Sequence, residues 1–597
     1  MTLTFKTTIY IDGKELPIFK GLRLYQRIHA HHNLEARVPL SAFESQDYHD
    51  LLEKSLSLEI LTNNAKKETL GRLEFNGIVT SINILKGSNV QGDELTLTAS
   101  SKEIWADDGP HYNCFHESKL DDIVKKTFEG YGVDLKVSAT FKEAIDYTVQ
   151  NHESAFSFVK RLSEKYGQWL YYNGKQLVFG KPEENSTRLK YNHDLAEYQI
   201  NFTPTPQKFK YFTQNYLEKS RQFWEYRETQ IPEGMTGDNV KLYDKSDSLF
   251  KKETSVWVNA NNERKVENVI KAKAKVQQAG FAIKQVEVSG RSWNSGVSLG
   301  NIVEIESQKY RVTEVVHTLS GMDDYENLFE AVSAGIEGYP YTNINAFTAS
   351  QSQIAVVMDN NDPDKLGRIK VAFAWQELIG EATPWIRVLT PHAGPQQGVQ
   401  FIPEIGDQVL VDFEGSDAES PYVVGSLYHA GHAPSKEWTS TENNIKVIRT
   451  RSGHTIELDD SDGAEMIKIH DREGSIITFD TQEKSLSIGA TENIDINAKN
   501  IKITANEDIS IEAIGNIGLA SEGDTRIITK GGVDVQSTSD TKVKSKAKLT
   551  LEATTDATIK GVNAVVSGQG SAELSGAKTK VAGSAMTEVS GGIVKIN

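Results

Sequence analysis

Residues 501–524 read IKITANED, ISIEAIGN and IGLASEGD, three consecutive eights that each open on two aliphatic residues one apart and close on Asp or Asn. The second aliphatic site continues as Ile503, Ile511, Leu519, Ile527, Val535, Val543, Leu551 and Ile559, with a step of eight throughout. Ile488 and Ile496 precede this line at steps of eight and seven. The site two residues earlier is looser: Ile501, Ile509, Ile517, Thr525, Val533, Thr541, Leu549, Ala557. An apolar pair at i and i+2 in a polar stretch is a strand with one buried face, because successive side chains alternate. Strands this short, cornered at Asp508, Asn516, Asp524, Gly532, Asp540 and Asp556, do not stand alone. They must stack as a solenoid in which each turn buries the next.

From Ile559 the pattern tightens. Ile559, Val566, Leu574, Val581 and Val589 follow at steps of seven or eight, and a glycine sits two places after each: Gly561, Gly568, Gly576, Gly583, Gly591. Glycine removes side-chain volume and lets backbones approach, so a narrowing prism is expected. Twelve or so octads stacked about 4.8 Å apart give roughly 60 Å of needle. The period does not say how many chains build it. Three octads of one chain could close a triangular turn, and so could one octad from each of three chains. The final residues Val594, Lys595, Ile596 and Asn597 carry no polar cap. Solenoids need caps, so a second protein is expected to sit on them.

At 597 residues the chain is too long for one hydrophobic core, and three or more domains are expected. A composition of 38% hydrophobic and 25% charged residues is that of a folded chain. The net charge of −17 argues against a nucleic-acid backbone as partner. A single cysteine, Cys114, excludes an internal disulfide framework and suits a reducing compartment. The opening MTLTFKTTIYIDGKE has no apolar core of a signal peptide, and no run of about 18 apolar residues spans a bilayer.

Between 354 and 428, short alternating segments are separated by turn clusters: Ile369-Val371-Phe373, Trp385-Arg387, Val409-Val411-Phe413 and Tyr422-Val424. Five or so strands in about 80 residues suggest a small closed barrel of the OB type. The stretches NNDPDKLGRIKVAFAW, TPWIRVLTPHAG and GVQFIPEIGDQVLVDFEGSDAESPYVVGSLY resemble the VgrG spike proteins of type VI secretion, and also the hub-spike proteins of contractile phage tails. Pro403, Glu404, Gly406 and Asp407 fall in that family's signature turn, and Ser452-Gly453-His454 with Ile456, Leu458 and Asp459 resembles the approach to its β-helix. The resemblance covers 350–597 most fully. In the first half, alternation as in Thr7–Ile11 and Leu95–Thr98 dominates, with helices expected over 119–129, 153–165 and 263–279. The run from Tyr147 to Gly167, followed by Gln168-Trp169-Leu170-Tyr171-Tyr172, resembles a hub-domain helix and strand of the same family, in its divergent Bacteroidota branch.

Few residues suggest chemistry. His29, His31 and His32 cluster, and on a strand His29 and His31 would share a face, but no third ligand stands at metal-site spacing. His392, His429 and His432 have no serine–acid partners in a recognisable motif. Cys114 reads as a buried small hydrophobe. Asp459, Asp460 and Asp462 lack the longer loop and distal acid of a calcium site, and Ser461-Asp462-Gly463 reads as a turn. No catalytic residue, metal or cofactor is therefore expected.

The fold expected is mainly β: a hub with β-barrels and α/β inserts over 1–345, an OB-like barrel over 346–437, and an intertwined triple-stranded β-helix of a homotrimer over 438–597. By the resemblance, the chain is a non-enzymatic spike assembled in the cytoplasm and then secreted through the contractile apparatus. Its implied partners are an Hcp-type hexameric tube, a PAAR-type tip protein, baseplate proteins, non-covalently carried effectors and, transiently, a target membrane. Tyr428 and Arg451 leave no room for a domain between barrel and helix, and no toxin follows residue 597, so an unadorned spike is expected. Readings kept open are an extracellular injection particle or phage tail, a carbohydrate-active β-helix enzyme in which each chain closes its own solenoid, and a passive adhesin.

Overall fold

The computed structural model describes residues 3–596 apart from 44–47, 87–92, 219–222, 261–262 and 322–323. The chain divides into two compact units, 1–493 and 494–597. In the first, strands of both ends of the hub share one thirteen-stranded sheet. The N-terminal strands Thr4–Ile11, Ser55–Asn63, Thr69–Leu85, Glu94–Ser101, Asn33–Pro39 and Gly21–Arg27 form one half. Gln308–Leu319 then pairs antiparallel with Gly21–Arg27, so that Val316 faces Tyr25 and Leu319 faces Leu22, and carries the sheet on to Tyr325–Ser333 and Val286–Ser292. Alternation decides which side is dry: in SLSLEILTN, Leu56, Leu58 and Ile60 are buried while Ser55, Ser57 and Glu59 are not. Two cores result, one around Ile9, Leu24, Leu58, Phe75 and Leu97, the other around Val288, Val303, Val315 and Phe329.

Two α/β inserts interrupt the sheet. The first carries helix α1, Leu120–Thr127, and helix α2, Ala155–Lys165. Ser154 caps α2 by accepting the Ser157 amide at 3.1 Å, and Phe158, Val159 and Leu162 pack fully buried against Leu120, Ile123 and Val124. The second insert carries helices α3, Asp238–Leu249, and α4, Val266–Ala282, beside a three-stranded sheet. Three of these helices lie where the periodicity places them. α3 was not foreseen, because DNVKLYDKSDSL has too few apolar residues for a period to show.

The barrel has a four-stranded sheet in the order Lys370–Phe373, Gln353–Asp359, Gln408–Phe413, Pro421–Leu427, with helix α5, Ala374–Ile379, after its second strand in sequence. Trp385–Arg387, expected as a strand, supplies only the bridge Ile369–Ile386, and the next residue adds the bridge Val388–Val423. The interior is Val357, Ile369, Val371, Phe373, Ile386, Val409, Val411 and Val423. The stretch NNDPDKLGR is a loop built on one carboxylate. Asp362 accepts the backbone amides of Asp364, Leu366 and Arg368 at 3.0, 2.8 and 3.2 Å, and the Arg368 guanidinium at 3.0 and 2.7 Å. Burial would raise the Asp362 carboxyl, but Arg368 and these amides outweigh it and hold the pKa at about 2.

Residues 438–597, expected as one β-helix, are two kinds of structure. From Ile445 to Gly489 the chain forms a five-stranded antiparallel meander whose strands pair in order. It precedes the strict octad register, and its hairpins satisfy their own backbone within one chain. Across it, Ile448, Ile456, Ile469, Ile477 and Ile488 stand opposite one another strand by strand, as do Leu458, Ile467, Phe479 and Leu486. Both rows lie on one face.

Asp362→Asn is expected to destabilise the barrel by roughly 2 kcal/mol in urea unfolding, since the lowered pKa measures the preference for the charged form. In the unmutated chain this contribution is complete above pH 3.8 and lost as pH falls toward about 2. Equal stability of the mutant at pH 7 would exclude the carboxylate as the organiser of this loop.

Candidate functional site

The barrel meets the hub through charge as well as shape. On α2, Arg161 and Lys165 are one turn apart and both buried. The barrel turn after Phe413 brings Glu419, itself 7% exposed, between them. Glu419 accepts Arg161 Nη1 at 3.1 Å, Thr148 Oγ1 at 2.5 Å and Lys165 Nζ. Arg161 is also clamped by Glu153 at 2.8 and 2.9 Å and donates to the Val149 carbonyl at 2.6 Å. Two residues before Glu419, Asp417 accepts Asn259 Nδ2 at 2.7 Å, and the same amide reaches Ser420 Oγ at 2.8 Å. Lys273 of α4 donates to the Asn259 carbonyl at 3.2 Å. Burial would raise Glu419, but Lys165 and Arg161 hold it well below the carboxylate range. Burial, and then Lys165, lower Lys273 to about 8. Around the charges lies an apolar seam of Cys114, Tyr147 and Val149 from the hub with Ala418 and Trp375 from the barrel. Sequence reasoning passed over this cluster, although ARG-x-x-x-LYS spacing on α2 and the acidic turn GSDAES were both visible.

The signature turn has a local role. Asp407 Oδ2 accepts the Glu404 amide at 2.9 Å, the Asp407 amide returns to the Glu404 carbonyl at 3.0 Å, and Asn360 Nδ2 holds the Pro403 carbonyl at 3.0 Å. Gly406 stands at φ 91°, which a side chain would strain, and donates to Val357 at 2.9 Å. The four residues thus fix the entry of strand Gln408–Phe413.

The histidine cluster disperses. The strand ends at Arg27, and His29 is in a turn at φ 70°, so His29 and His31 do not share a strand face. His29 lies 2.6 Å from Glu164 and 2.9 Å from the Tyr339 hydroxyl. His31 lies 3.3 Å from Asp107, and His32, fully buried, pairs with Gln26 at 3.1 Å. The carboxylates near 460 also part company. Asp459 accepts the Ser461 amide at 2.9 Å within the expected turn, and Asp460 pairs with Lys446 at 2.8 Å. Cys114 is buried, and burial pushes its thiol up to about 11.

The second unit is a different kind of surface. Its backbone bends at 506–507, 514–515, 522–523, 530–531, 538–539, 546–547, 554–555 and 562–563, a step of eight, then at 569–570, 577–578, 584–585 and 592–593 with steps of seven or eight. The corners fall one residue before the Asp, Asn and Gly positions expected to make them. Among the described residues of 494–596, no backbone amide donates to a backbone carbonyl, and none belongs to a strand. The octad aliphatics are bare within one chain: Ile503 is 72% exposed, Ile511 70%, Leu519 84%, Ile527 77%, Val535 76%, Val543 71%, Leu551 81% and Ile559 81%. Closure of three octads from one chain would bury them, and it does not occur. The isoleucine row of the meander is half-exposed as well. Val594, Lys595 and Ile596 are exposed, and Asn597 lies outside the described residues.

Comparison with known proteins gives the following. Residues 30–322 match the phage tail baseplate hub (GPD) family, and residues 353–428 match the type VI secretion system/phage-baseplate injector OB domain family. The type VI secretion system spike protein VgrG1b of Pseudomonas aeruginosa is 21% identical over 423 residues, covering 62% of this chain and 54% of that protein. VgrG4b of the same organism is 34% identical over 115 residues, or 18% of this chain and 14% of that one. The chain thus spans about half the length of VgrG1b. Among solved structures, a Francisella PdpA–VgrG complex in its half-lidded form matches with a TM-score of 0.50 at 10% identity, covering 82% of this chain and 88% of that one.

Glu419→Ala is expected to cost about 3–5 kcal/mol, because it leaves Arg161 and Lys165 buried without their shared anion. Urea unfolding and limited proteolysis between 414 and 420 read this. A loss under about 1 kcal/mol would mean the apolar seam alone holds the joint.

Proposed function

We propose that this chain is a spike protein of the VgrG family, and that three copies assemble as the hub and needle at the tip of a type VI secretion tube. The observation that carries this is the octad stripe, about eight large aliphatics per chain exposed on a backbone with no partner in the same chain. Burying each is worth about 1.5–3 kcal/mol, so covering eight offers roughly 12–24 kcal/mol per chain. Both the stripe and the unpaired amides are satisfied together if two further copies supply the neighbouring strands of every turn. Interwound in this way, the octads form a dry aliphatic axis inside a polar prism, which is stiff because its backbone ladders are continuous.

The action is mechanical. Sheath contraction drives the trimer through a target envelope, with transient contact at the membrane, and no step calls on a catalytic side chain. The thirteen-stranded hub would sit on an Hcp-type hexameric tube amid baseplate proteins. The residues Val594, Lys595, Ile596 and Asn597 would take a PAAR-type tip protein, and effectors would travel bound to tip or tube. Pro403, Glu404, Gly406 and Asp407 serve the barrel fold rather than a partner. No helix of the described residues is long and apolar enough to cross a membrane.

Light scattering is the direct test. A trimer of 66.3 kDa chains has a mass of about 199 kDa. A folded monomer at micromolar concentration would overturn the assembly. Ile511→Asp or Val543→Asp would place charges on the axis and should lower the melting temperature of the trimer or abolish it, while Lys502→Asp, on the alternate polar face, should leave it near its original value. Equal melting of the axial and outward variants would show that the stripe is not the interface.

A further inference from the structure

We propose that Cys114, His116 and Glu381 form a zinc site that bridges the hub and the barrel. Cys114 and His116 are two apart on the strand His111–Lys119 and therefore share one face of the hub hairpin. Glu381 follows Gly380 at the end of α5, on the barrel side. The Cys114 sulfur, a ring nitrogen of His116 and a carboxylate oxygen of Glu381 all lie within 4.8 Å of one another. His116 Nε2 and Glu381 Oε2 are 3.8 Å apart. Tetrahedral zinc, with bonds of about 2.0–2.3 Å, separates its ligands by roughly 3.3–3.8 Å. The set needs a contraction of up to about 1 Å, and the Glu381 side chain, 44% exposed at a helix end, has room to adjust.

The donor chemistry selects the metal. A thiolate and an imidazole suit zinc and disfavour magnesium and calcium, which take oxygen ligands. The surroundings also hold the donors in place. Gln376, itself fully buried, directs its Nε2 at the Cys114 sulfur at 3.5 Å and at the Tyr147 hydroxyl at 3.4 Å. On the far side, His116 and Glu381 line a cleft of about 920 Å³ that also includes Asp146, Glu377 and Trp385. The cleft provides an entry path and room for a fourth, water ligand. The apolar seam explains why the thiol is buried. It does not explain why an imidazole and a carboxylate from opposite sides of the joint converge on it. As the metal–sulfur bond forms, the thiol proton passes to solvent.

Cobalt makes the test unambiguous, because Cys114 is the chain's one cysteine and any thiolate-to-metal charge-transfer band must come from it. The full-length chain, stripped with chelator, is titrated with Co²⁺ and then Zn²⁺. We expect a charge-transfer band and four-coordinate visible bands that saturate at one cobalt per chain and are bleached by zinc. Cys114→Ala should abolish the charge-transfer band. Glu381→Gln, an exposed change that leaves the fold intact by circular dichroism, should weaken zinc affinity about tenfold or more. Absence of the band in the unmutated chain, or zinc affinity unchanged in both Glu381→Gln and His116→Gln, would overturn the site.

Discussion

A backbone amide and carbonyl removed from water must find partners, and the two units of this chain meet that demand in opposite ways. Among the described residues from 3 to 489, the sheets, helices and turns pair peptide groups within the chain, in sheets as wide as thirteen strands. From 494 to 596 the described backbone pairs with nothing of its own, yet it keeps a corner every seven or eight residues and one aliphatic line between corners. Such a segment is half of a structure. Copies of the same sequence, as proposed above, would match its regularity turn for turn, since they share its eight-residue period. In the proposed trimer, stiffness and freedom from lateral aggregation both follow from one requirement, that every edge be covered.

The joint at Glu419 shows how a domain made of short strands can be fixed on a larger body. Replacing buried ion pairs by hydrocarbon often raises stability, so the cluster is poor evidence for stability as such. Its value is directional. Arg161 keeps Glu153 and the Val149 carbonyl within the hub, whereas a small slide of the barrel over α2 would separate Glu419 from both Arg161 and Lys165. An apolar seam of Tyr147, Val149, Ala418 and Trp375 tolerates sliding far better than this cluster does. The anchored turn 414–420 thus sets the register of the barrel on the hub more than it adds stability.

Much of this was legible in the sequence, unevenly and for physical reasons. The octads were legible because a repeat multiplies one weak signal, and the bends fall within a residue of the corners read from Asp, Asn and Gly. α2 was legible because Ala155, Phe158, Val159 and Leu162 keep the helical spacing and Ser154 caps it. α3 was not, since it packs through Val240, Leu242 and Tyr243 against a core formed mostly by other segments. The meander was read as the start of the needle because its strands share the aliphatic residues of the octads, and only the cross-strand register separates them. The Glu419 cluster and the Cys114 triad were hidden for a further reason. Each assembles residues more than 250 positions apart, as from Arg161 to Glu419, and single-chain periodicity carries no information at that range.

The bare stripe also constrains how the chain can reach its assembled state. A row of exposed isoleucines on unpaired strands is a hazard as well as an interface, because any flat strand edge could pair with it. Two features of the sequence restrain this. Lys502, Glu512, Asp534, Lys542 and Lys544 occupy the alternate sites, on the face opposite the stripe, so a sheet that stacked on both faces would bury charge. The corners at every octad limit each extended piece to a few residues, too short to template a long flat ladder. Only partners that bend at the same places can bury the aliphatics while leaving the charges wet.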